Sequence, residues 1–293
     1  MAEKLNMTTH QEKWDVLKIL TWTKGYLAEK GVENPRLEAE WMLCEALSLD
    51  RVGLYLNFDK PLTEGELAAY RGMVGRRGRR EPLQYILGSQ EFMGLEFQVT
   101  PAVLIPRHDT ELLVTEAVKR GAGSRSILDI GTGSGCVAIA LAKALPGAEI
   151  FSVDISGEAL AVARGNAQRN GAAVQFFQGS LLEPFSGRRF DMIVSNPPYI
   201  PAAELATLQQ EVRGFEPLGA LDGGADGLDF YRRITDGAPD HLNPGGWLLF
   251  EVGAGQAPQV LELLGTGGFG TDGFVELDPA GIERVAGGRL TNN

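Results

Sequence analysis

Ser126-Ile127-Leu128-Asp129-Ile130-Gly131-Thr132-Gly133-Ser134-Gly135-Cys136 begins as an apolar run, breaks into a glycine-rich loop, and continues as a helix-like stretch over residues 136–145. Strand, glycine loop, helix is the opening unit of a parallel α/β sheet. The alternation repeats downstream. A second strand over 149–153 ends at Asp154 and its helix spans 157–170; further strands occupy 174–178, 190–194 and 247–252. A helix over 256–264 precedes two late strands, 273–277 and 284–290, which suit a hairpin on the sheet edge. The pattern predicts an α/β fold, a doubly wound, mostly parallel seven-stranded sheet.

Upstream the period changes to that of helices. Trp14, Leu17, Ile19, Leu20, Trp22, Tyr26 and Leu27 recur at near-helical spacing over residues 11–30, with Gly31 as the stop. A second helix starts after Asn34-Pro35 and runs to about residue 49; a third follows the capping box of Thr63-Glu64-Gly65-Glu66 and reaches about residue 77. Residues 1–80 are therefore expected to form a small helical domain, read as a partner-recognition module. Pro82 to Gly88 and Glu91 to Val99 read as two short strands with Gly94 at the turn, so residues 81–105 are expected to be a β-hairpin linker. Asp109 or Thr110 then caps the helix that opens the catalytic domain, residues 106–293. Arg71, Arg76, Arg77, Arg79 and Arg80 form the one basic cluster and read as a solvated helix end.

Composition narrows the function. The 293 residues are 44% hydrophobic and carry a net charge of −11, a balance that disfavours direct binding of phosphate backbones. Residues 1–6 hold no apolar signal core and no segment is long and apolar enough to span a bilayer, so the protein reads as cytoplasmic, with no membrane association. Two cysteines, Cys44 and Cys136, and three scattered histidines give neither a disulfide framework nor metal-ligand spacing; no metal is expected.

Chemistry is expected beyond the carboxyl ends of the strands, where strand order reverses. Gly131, Gly133 and Gly135 let a ligand approach the backbone, and the next helix offers free N–H groups. Cys136 stands where a dinucleotide fingerprint places its third glycine, which argues against a pyrophosphate cofactor. Asp154 is placed to accept both hydroxyl protons of a ribose. After the strand that ends at Val194 come Ser195-Asn196-Pro197-Pro198-Tyr199-Ile200: the Asn196 side-chain carbonyl and the Pro197 backbone carbonyl are two acceptors, and Tyr199 offers a flat wall. Such a loop suits a planar NH2 group, whose delocalised nitrogen must be held and polarised before it can attack. The three loops together indicate S-adenosylmethionine-dependent methyl transfer, with no general base of tuned pKa among the motifs. An NH2 on adenine or guanine in nucleic acid is the rival substrate, and a non-catalytic cofactor-binding scaffold is the rival of another class.

In these motifs the chain resembles the protein-(glutamine-N5) methyltransferases of class I peptide chain release factors, whose fold is class I methyltransferase-like. The likeness runs from the helical domain through Tyr85-Ile86-Leu87-Gly88, Val103 to Glu111 with its Pro106-Arg107-His108-Asp109-Thr110-Glu111, residues 131–135, Asn196 to Ile200 and the run from Leu221 to Tyr231. It implies that release factors are the partner, that Asn196, Pro197, Pro198 and Tyr199 bind the glutamine of a Gly-Gly-Gln motif, and that Asn196, Pro197 and Tyr199 serve catalysis. It also implies that Asp129, Gly131, Thr132, Gly133, Gly135, Asp154, Ile155, Ser180, Leu181 and Asn196 hold the cofactor. The chain departs from the family pattern at His108, commonly proline, and at Ser180, where an acidic residue often stands; the backbone of residues 179–181 is the expected adenine contact.

Overall fold

In the computed structural model, residues 14–270 and 272–291 are described; residues 1–6, His10 and the expected helix start at residue 11 lie outside them. Helical spacing gives α1 (Val16–Glu29), capped by Asp15, and α2 (Pro35–Leu47), which has proline in its first turn. A short α3 (Arg51–Leu56), not anticipated, is capped by Asp50, and α4 (Glu64–Arg77) carries the expected Thr63–Glu66 capping box. Ile19, Leu27, Met42, Leu43, Leu54, Tyr70 and Val74 form their common core.

The expected strand at residues 82–88 is instead a helix, α5 (Leu83–Leu87): Pro82 supplies the fixed φ of an N-cap, and Gly88, at φ 80°, ends the turn. The hairpin consequently lies further on, as β1 (Ser89–Phe92) paired antiparallel with β2 (Leu95–Gln98). Met93 and Gly94 between them have φ of 52° and 71°, the left-handed pair that a two-residue hairpin turn requires. Asn166 holds the hairpin from the helix behind it, accepting from Gln98 N at 2.7 Å and donating to Gln98 O at 3.0 Å.

The larger unit comprises residues 89–209 and 216–293. Its elements in order are α6 (Thr110–Arg120), β3 (Ser126–Ile130), α7 (Cys136–Ala144), β4 (Glu149–Asp154), α8 (Gly157–Arg169), β5 (Val174–Gln178) and β6 (Phe190–Ser195). The six-residue α9 (Gln210–Phe215) comes next, then α10 (Asp229–His241), β7 (Leu242–Glu251), α11 (Ala257–Thr266), β8 (Phe274–Leu277) and β9 (Glu283–Arg289). The sheet order is β5-β4-β3-β6-β7-β9-β8, with the first five strands parallel and the last two antiparallel. Alternation along the strands divides the side chains between two cores. Leu128, Ile193, Leu248 and Phe250 pack with Tyr231 and Ile234 of α10 and Val260 of α11. Ile127, Met192, Val194 and Leu249 pack with Leu113 of α6, Ile139 of α7 and Phe97 of the hairpin. Helices thus cover both faces, and strand order reverses at β3, whose neighbours are β4 and β6.

The smaller unit comprises residues 1–88 together with 210–215, so α9 belongs to it. The arginine cluster explains why, and corrects the reading of a solvated helix end. Arg77 is buried and its guanidinium meets the carboxylates of Glu38 and Glu211, the latter at 3.0 Å. Arg80 reaches Glu211 at 2.7 Å, and Arg76 pairs with Glu81 at 2.6 Å. The side-chain cap expected of Asp109 is also absent: it makes no cap hydrogen bond to α6 and pairs with Arg284 at 2.9 Å.

Candidate active site

At the carboxyl ends of β3, β4 and β6 the larger unit encloses a cavity of about 430 Å³, a volume ordinary for small-ligand sites. Gly131, Thr132, Gly133, Asp154, Ile155, Ser180, Leu181, Asn196, Pro197 and Pro198 all line it. Asp129, Gly135 and Tyr199 do not.

The glycine loop is shaped by backbone need. Gly131 and Gly133 have φ of 86° and 53°, and Gly131 N and Thr132 N turn back to the Val153 carbonyl at 2.9 and 3.1 Å. Gly135 begins α7 at φ 84°; a methyl there would meet Ile139 Cδ1 at 3.0 Å and Ala163 Cβ at 3.1 Å, so it serves helix packing. Asp154 accepts from Gly133 N and Ser156 N, both at 2.9 Å and one on each oxygen, which leaves each oxygen a lone pair for a further donor. Asp129 acts from behind. Its carboxyl is fully buried, accepts from Ser152 Oγ at 2.7 Å, and through that hydroxyl is linked to Thr132 Oγ1 at 2.7 Å. Burial pushes its pKa up to about 7 against the opposing Ser152 hydrogen bond.

On the opposite wall, Ser195 Oγ donates to Ile130 O at 2.7 Å and ties β6 to β3. Asn196 follows. Its Nδ2 donates to Thr110 Oγ1 at 3.2 Å, which leaves Oδ1 as an acceptor on a residue that lines the cavity. The Pro197 carbonyl accepts no hydrogen bond from the described residues. Tyr199 faces away: its hydroxyl donates to Glu251 Oε1 at 3.4 Å, and burial pushes its pKa up. Its backbone is held tightly. Gln256 Nε2 donates to Tyr199 O at 2.9 Å, Ile200 N donates to Leu221 O at 3.0 Å, and Gly223 N donates to Ile200 O at 2.9 Å. A methyl on Gly223 would stand 2.7 Å from Tyr199 Cα, so the glycine admits the Leu221–Tyr231 segment against the loop.

Three features escaped the sequence reading. Glu251, at the end of β7, is buried with its pKa pushed up to about 7 by burial, and its Oε2 has no hydrogen-bond partner among the described residues. An acidic residue closing the apolar Leu248-Leu249-Phe250 run at the carboxyl end of a parallel strand is the signal that could have found it. Glu216, also buried, pairs with Arg107 and accepts from Ile105 N at 3.3 Å, which fixes the segment before α6. Arg233 Nη2 donates to Ser180 Oγ at 3.2 Å, and both residues line the cavity. Among the described residues no group of histidine, cysteine, aspartate or glutamate could hold a metal ion, and no helix is long and apolar enough to cross a membrane.

A doubly wound sheet with a glycine loop and a strand-end carboxylate at its switch point, facing an Asn-Pro-Pro loop with two carbonyl acceptors, defines a methyltransferase fold. Comparison with known proteins narrows the class. Residues 18–88 match the PrmC N-terminal domain and residues 108–212 match the methyltransferase small domain. The chain is 62% identical over 284 residues to the release factor glutamine methyltransferase of Geobacter sulfurreducens, covering 97% of this chain and 100% of that one. It is 45% identical to the same enzyme of Chlorobaculum tepidum, covering 87% of this chain and 91% of that one. The T. thermophilus 16S rRNA N2 G1207 methyltransferase, solved with AdoMet and guanosine, shares the fold at 20% identity and a TM-score of 0.51, over 69% of this chain and 49% of that one. The chain belongs to the release factor glutamine methyltransferases and is an enzyme of protein-glutamine methylation.

Proposed function

We propose that the protein methylates the side-chain amide nitrogen of the glutamine in the Gly-Gly-Gln motif of class I peptide chain release factors, with S-adenosylmethionine as donor. The observation that carries this reading is the polarity of Asn196: with Nδ2 committed to Thr110 Oγ1, Oδ1 is the acceptor beside the Pro197 carbonyl. Two such acceptors match the two N–H donors of a primary amide and fix the plane of its nitrogen.

The cavity fits the donor. Gly131 and Gly133 expose backbone to its methionine end, Asp154 keeps one lone pair per oxygen for ribose hydroxyls, and Ile155, Leu181 and Phe230 supply apolar wall. Asp129 supports that loop through Ser152 and Thr132. Ser180, held by Arg233, and the backbone of residues 179–181 are left for the adenine edge. Bound there, the cofactor supplies an electrophilic methyl on a sulfonium. The protein's own residues then align the amide nitrogen, and Asn196 Oδ1 and Pro197 O stabilise positive charge as it develops on that nitrogen. Once methylated, the nitrogen loses its proton to water. Pro198 walls the amide subsite, and Tyr199 serves through the fixed position of its backbone. The helical unit, with Leu37, Trp41, Val52 and Leu56 exposed, is assigned to recognition of the release factor.

Mass spectrometry of a purified release factor incubated with enzyme and cofactor tests the assignment. A mass increase of one methyl group on the glutamine is expected, with none on RNA or DNA offered in parallel. Asn196→Ala should lower the single-turnover rate by about 10² to 10³, the usual cost of one preorganised polar contact, while Tyr199→Phe stays within a few-fold. An unmodified glutamine refutes the substrate, and the reverse order of the two variants refutes the two-acceptor geometry.

A further inference from the structure

Asn166 lies on α8, is fully buried, and spends its side-chain amide on backbone alone. Oδ1 accepts from Gln98 N at 2.7 Å and Nδ2 donates to Gln98 O at 3.0 Å, so the amide meets the end of β2 as a neighbouring strand would. The second N–H of the same nitrogen goes elsewhere: it donates to Ser134 O at 2.9 Å, inside the glycine loop. Ser134 stands between Gly133 and Gly135, at φ of 53° and 84°, and no backbone N–H among the described residues reaches its carbonyl. The partners settle the orientation of the amide, because the inverted form would set its oxygen against two carbonyls. One turn earlier on the same helix, Ala163 packs so closely that a methyl on Gly135 would stand 3.1 Å from its Cβ. Helix α8 therefore grips the loop at two points, one of them polar.

Gln98 is where the hairpin hands over to the segment before α6, and Ala102, Val103 and Leu104 of that segment line the same cavity as Ser134. The far end of the segment is pinned by Glu216, through Ile105 N and Arg107. We infer that Asn166 is a positioning residue of the cofactor site, a buttress that joins the glycine loop to the hairpin and holds two walls of the cavity at a fixed spacing. The inference rests on the reading of this cavity as the S-adenosylmethionine site. Asn166 does not itself line the cavity, so it acts through Ser134 and Gln98. The hairpin thereby gains a task beyond linking one part of the chain to another. The walls also become interdependent: a ligand that orders residues 131–135 orders Gln98 with them, although β2 does not line the cavity.

The test compares wild type with Asn166→Ala, Asn166→Asp and Asn170→Ala. Asn166→Asp keeps the shape and an acceptor for Gln98 N but loses both N–H donors. Asn170 Nδ2 donates to Glu96 O at 3.0 Å, so Asn170→Ala loosens the hairpin and leaves the bond to Ser134 in place. Calorimetry with S-adenosylhomocysteine gives the affinity, hydrogen exchange with and without that ligand follows residues 95–98 and 131–135, and the thermal midpoint is measured alongside. Asn166→Ala is expected to raise the dissociation constant by about threefold to tenfold, the worth of one ordinary hydrogen bond, and Asn166→Asp at least as much, with Asn170→Ala at the wild-type value. In wild type and Asn170→Ala the ligand should slow exchange in both segments; in the two Asn166 variants it should slow only residues 131–135. An asparagine that merely stabilised the fold would lower the midpoint and leave both the affinity and the ligand-dependent protection of residues 95–98 intact, a result that overturns the inference. Wild type in which the ligand leaves residues 95–98 unprotected overturns it without recourse to any variant. Wild type that does not bind S-adenosylhomocysteine refutes the cofactor site itself; binding with unchanged affinity in the Asn166 variants refutes only the buttress.

Discussion

Replacing Gly223 by alanine probes how firmly the Asn-Pro-Pro-Tyr loop must be held. The added methyl would lie 2.7 Å from Tyr199 Cα, 2.8 Å from Tyr199 C and 2.9 Å from Gly227 Cα, all backbone atoms that no rotamer change can remove. To reach ordinary contact at 3.4 Å these atoms must part by about 0.5 to 0.7 Å. Overpacking of this kind costs about 1–3 kcal/mol of stability. The larger effect should be on rate. Tyr199 is two residues from the Pro197 carbonyl, and a misplacement of about 1 Å in a reacting geometry can cost 10²-fold, so a shift of this size should slow methyl transfer by roughly tenfold to a hundredfold. The assay is single-turnover methylation of a release factor at saturating cofactor, beside calorimetric cofactor affinity, which should hold within a few-fold. Gly147→Ala, where an added methyl has nothing within 4 Å, is the control and should match wild type. A Gly223→Ala enzyme with full rate and unchanged stability would show that the loop does not depend on the close approach of the Leu221–Tyr231 segment.

Two further outcomes follow from the carboxylates of the glycine-loop wall. Asp154→Ala should raise the cofactor dissociation constant about tenfold to a hundredfold, since hydrogen bonds to a charged acceptor are worth about 1.5–3 kcal/mol; unchanged affinity by calorimetry would remove Asp154 from the ribose site. Asp129, whose pKa rises from 3.8 to about 7 on folding, retains its proton in the folded state where the unfolded chain has lost it, so stability should decline as pH rises from about 4 to about 7 and then level off. Asp129→Asn should remove the Asp129 share of that decline and leave the share of Glu251, so that the variant gains on wild type in thermal midpoint at pH 8 relative to pH 4; a difference from wild type that is the same at both pH values would mean that the carboxyl is not desolvated.

The sheet was legible because both of its periods are local. Ile127, Leu128 and Ile130 on β3, or Met192, Ile193 and Val194 on β6, need only alternate to serve the two cores, and Gly131, Asp154 and Asn196 each fall where a strand stops. Elements whose local signal is mixed were not read. α10 carries Gly237 and Pro239 within its span, and Leu83–Leu87 has the composition of a strand but sits between a proline cap and a left-handed glycine. The supporting polar groups were illegible for a different reason. Thr110 and Asn196 are far apart in the chain, as are Tyr199 and Glu251, and what each does depends on which atom of its partner it meets, a property that appears only after folding. Arg77 gave no sign of burial because its two carboxylate partners, Glu38 and Glu211, stand 39 and 134 residues from it in the chain.

That last pairing changes what can be cut or exchanged. The helical unit is not the product of one continuous stretch: it borrows six residues from the middle of the methyltransferase sequence and secures them through Glu211. A deletion at its boundary would leave α9 with neither Arg77 nor Arg80, tethered between Gln209 and Glu216 within the methyltransferase sequence. Loss of activity in such a truncated protein would therefore not report on residues 1–88 alone. A graft of the helical unit from a relative must carry its own version of residues 210–215, or keep a glutamate at 211 matched to arginines at 77 and 80. The two units are distinct as packed bodies yet interleaved as sequence, and each constrains how freely the other can drift.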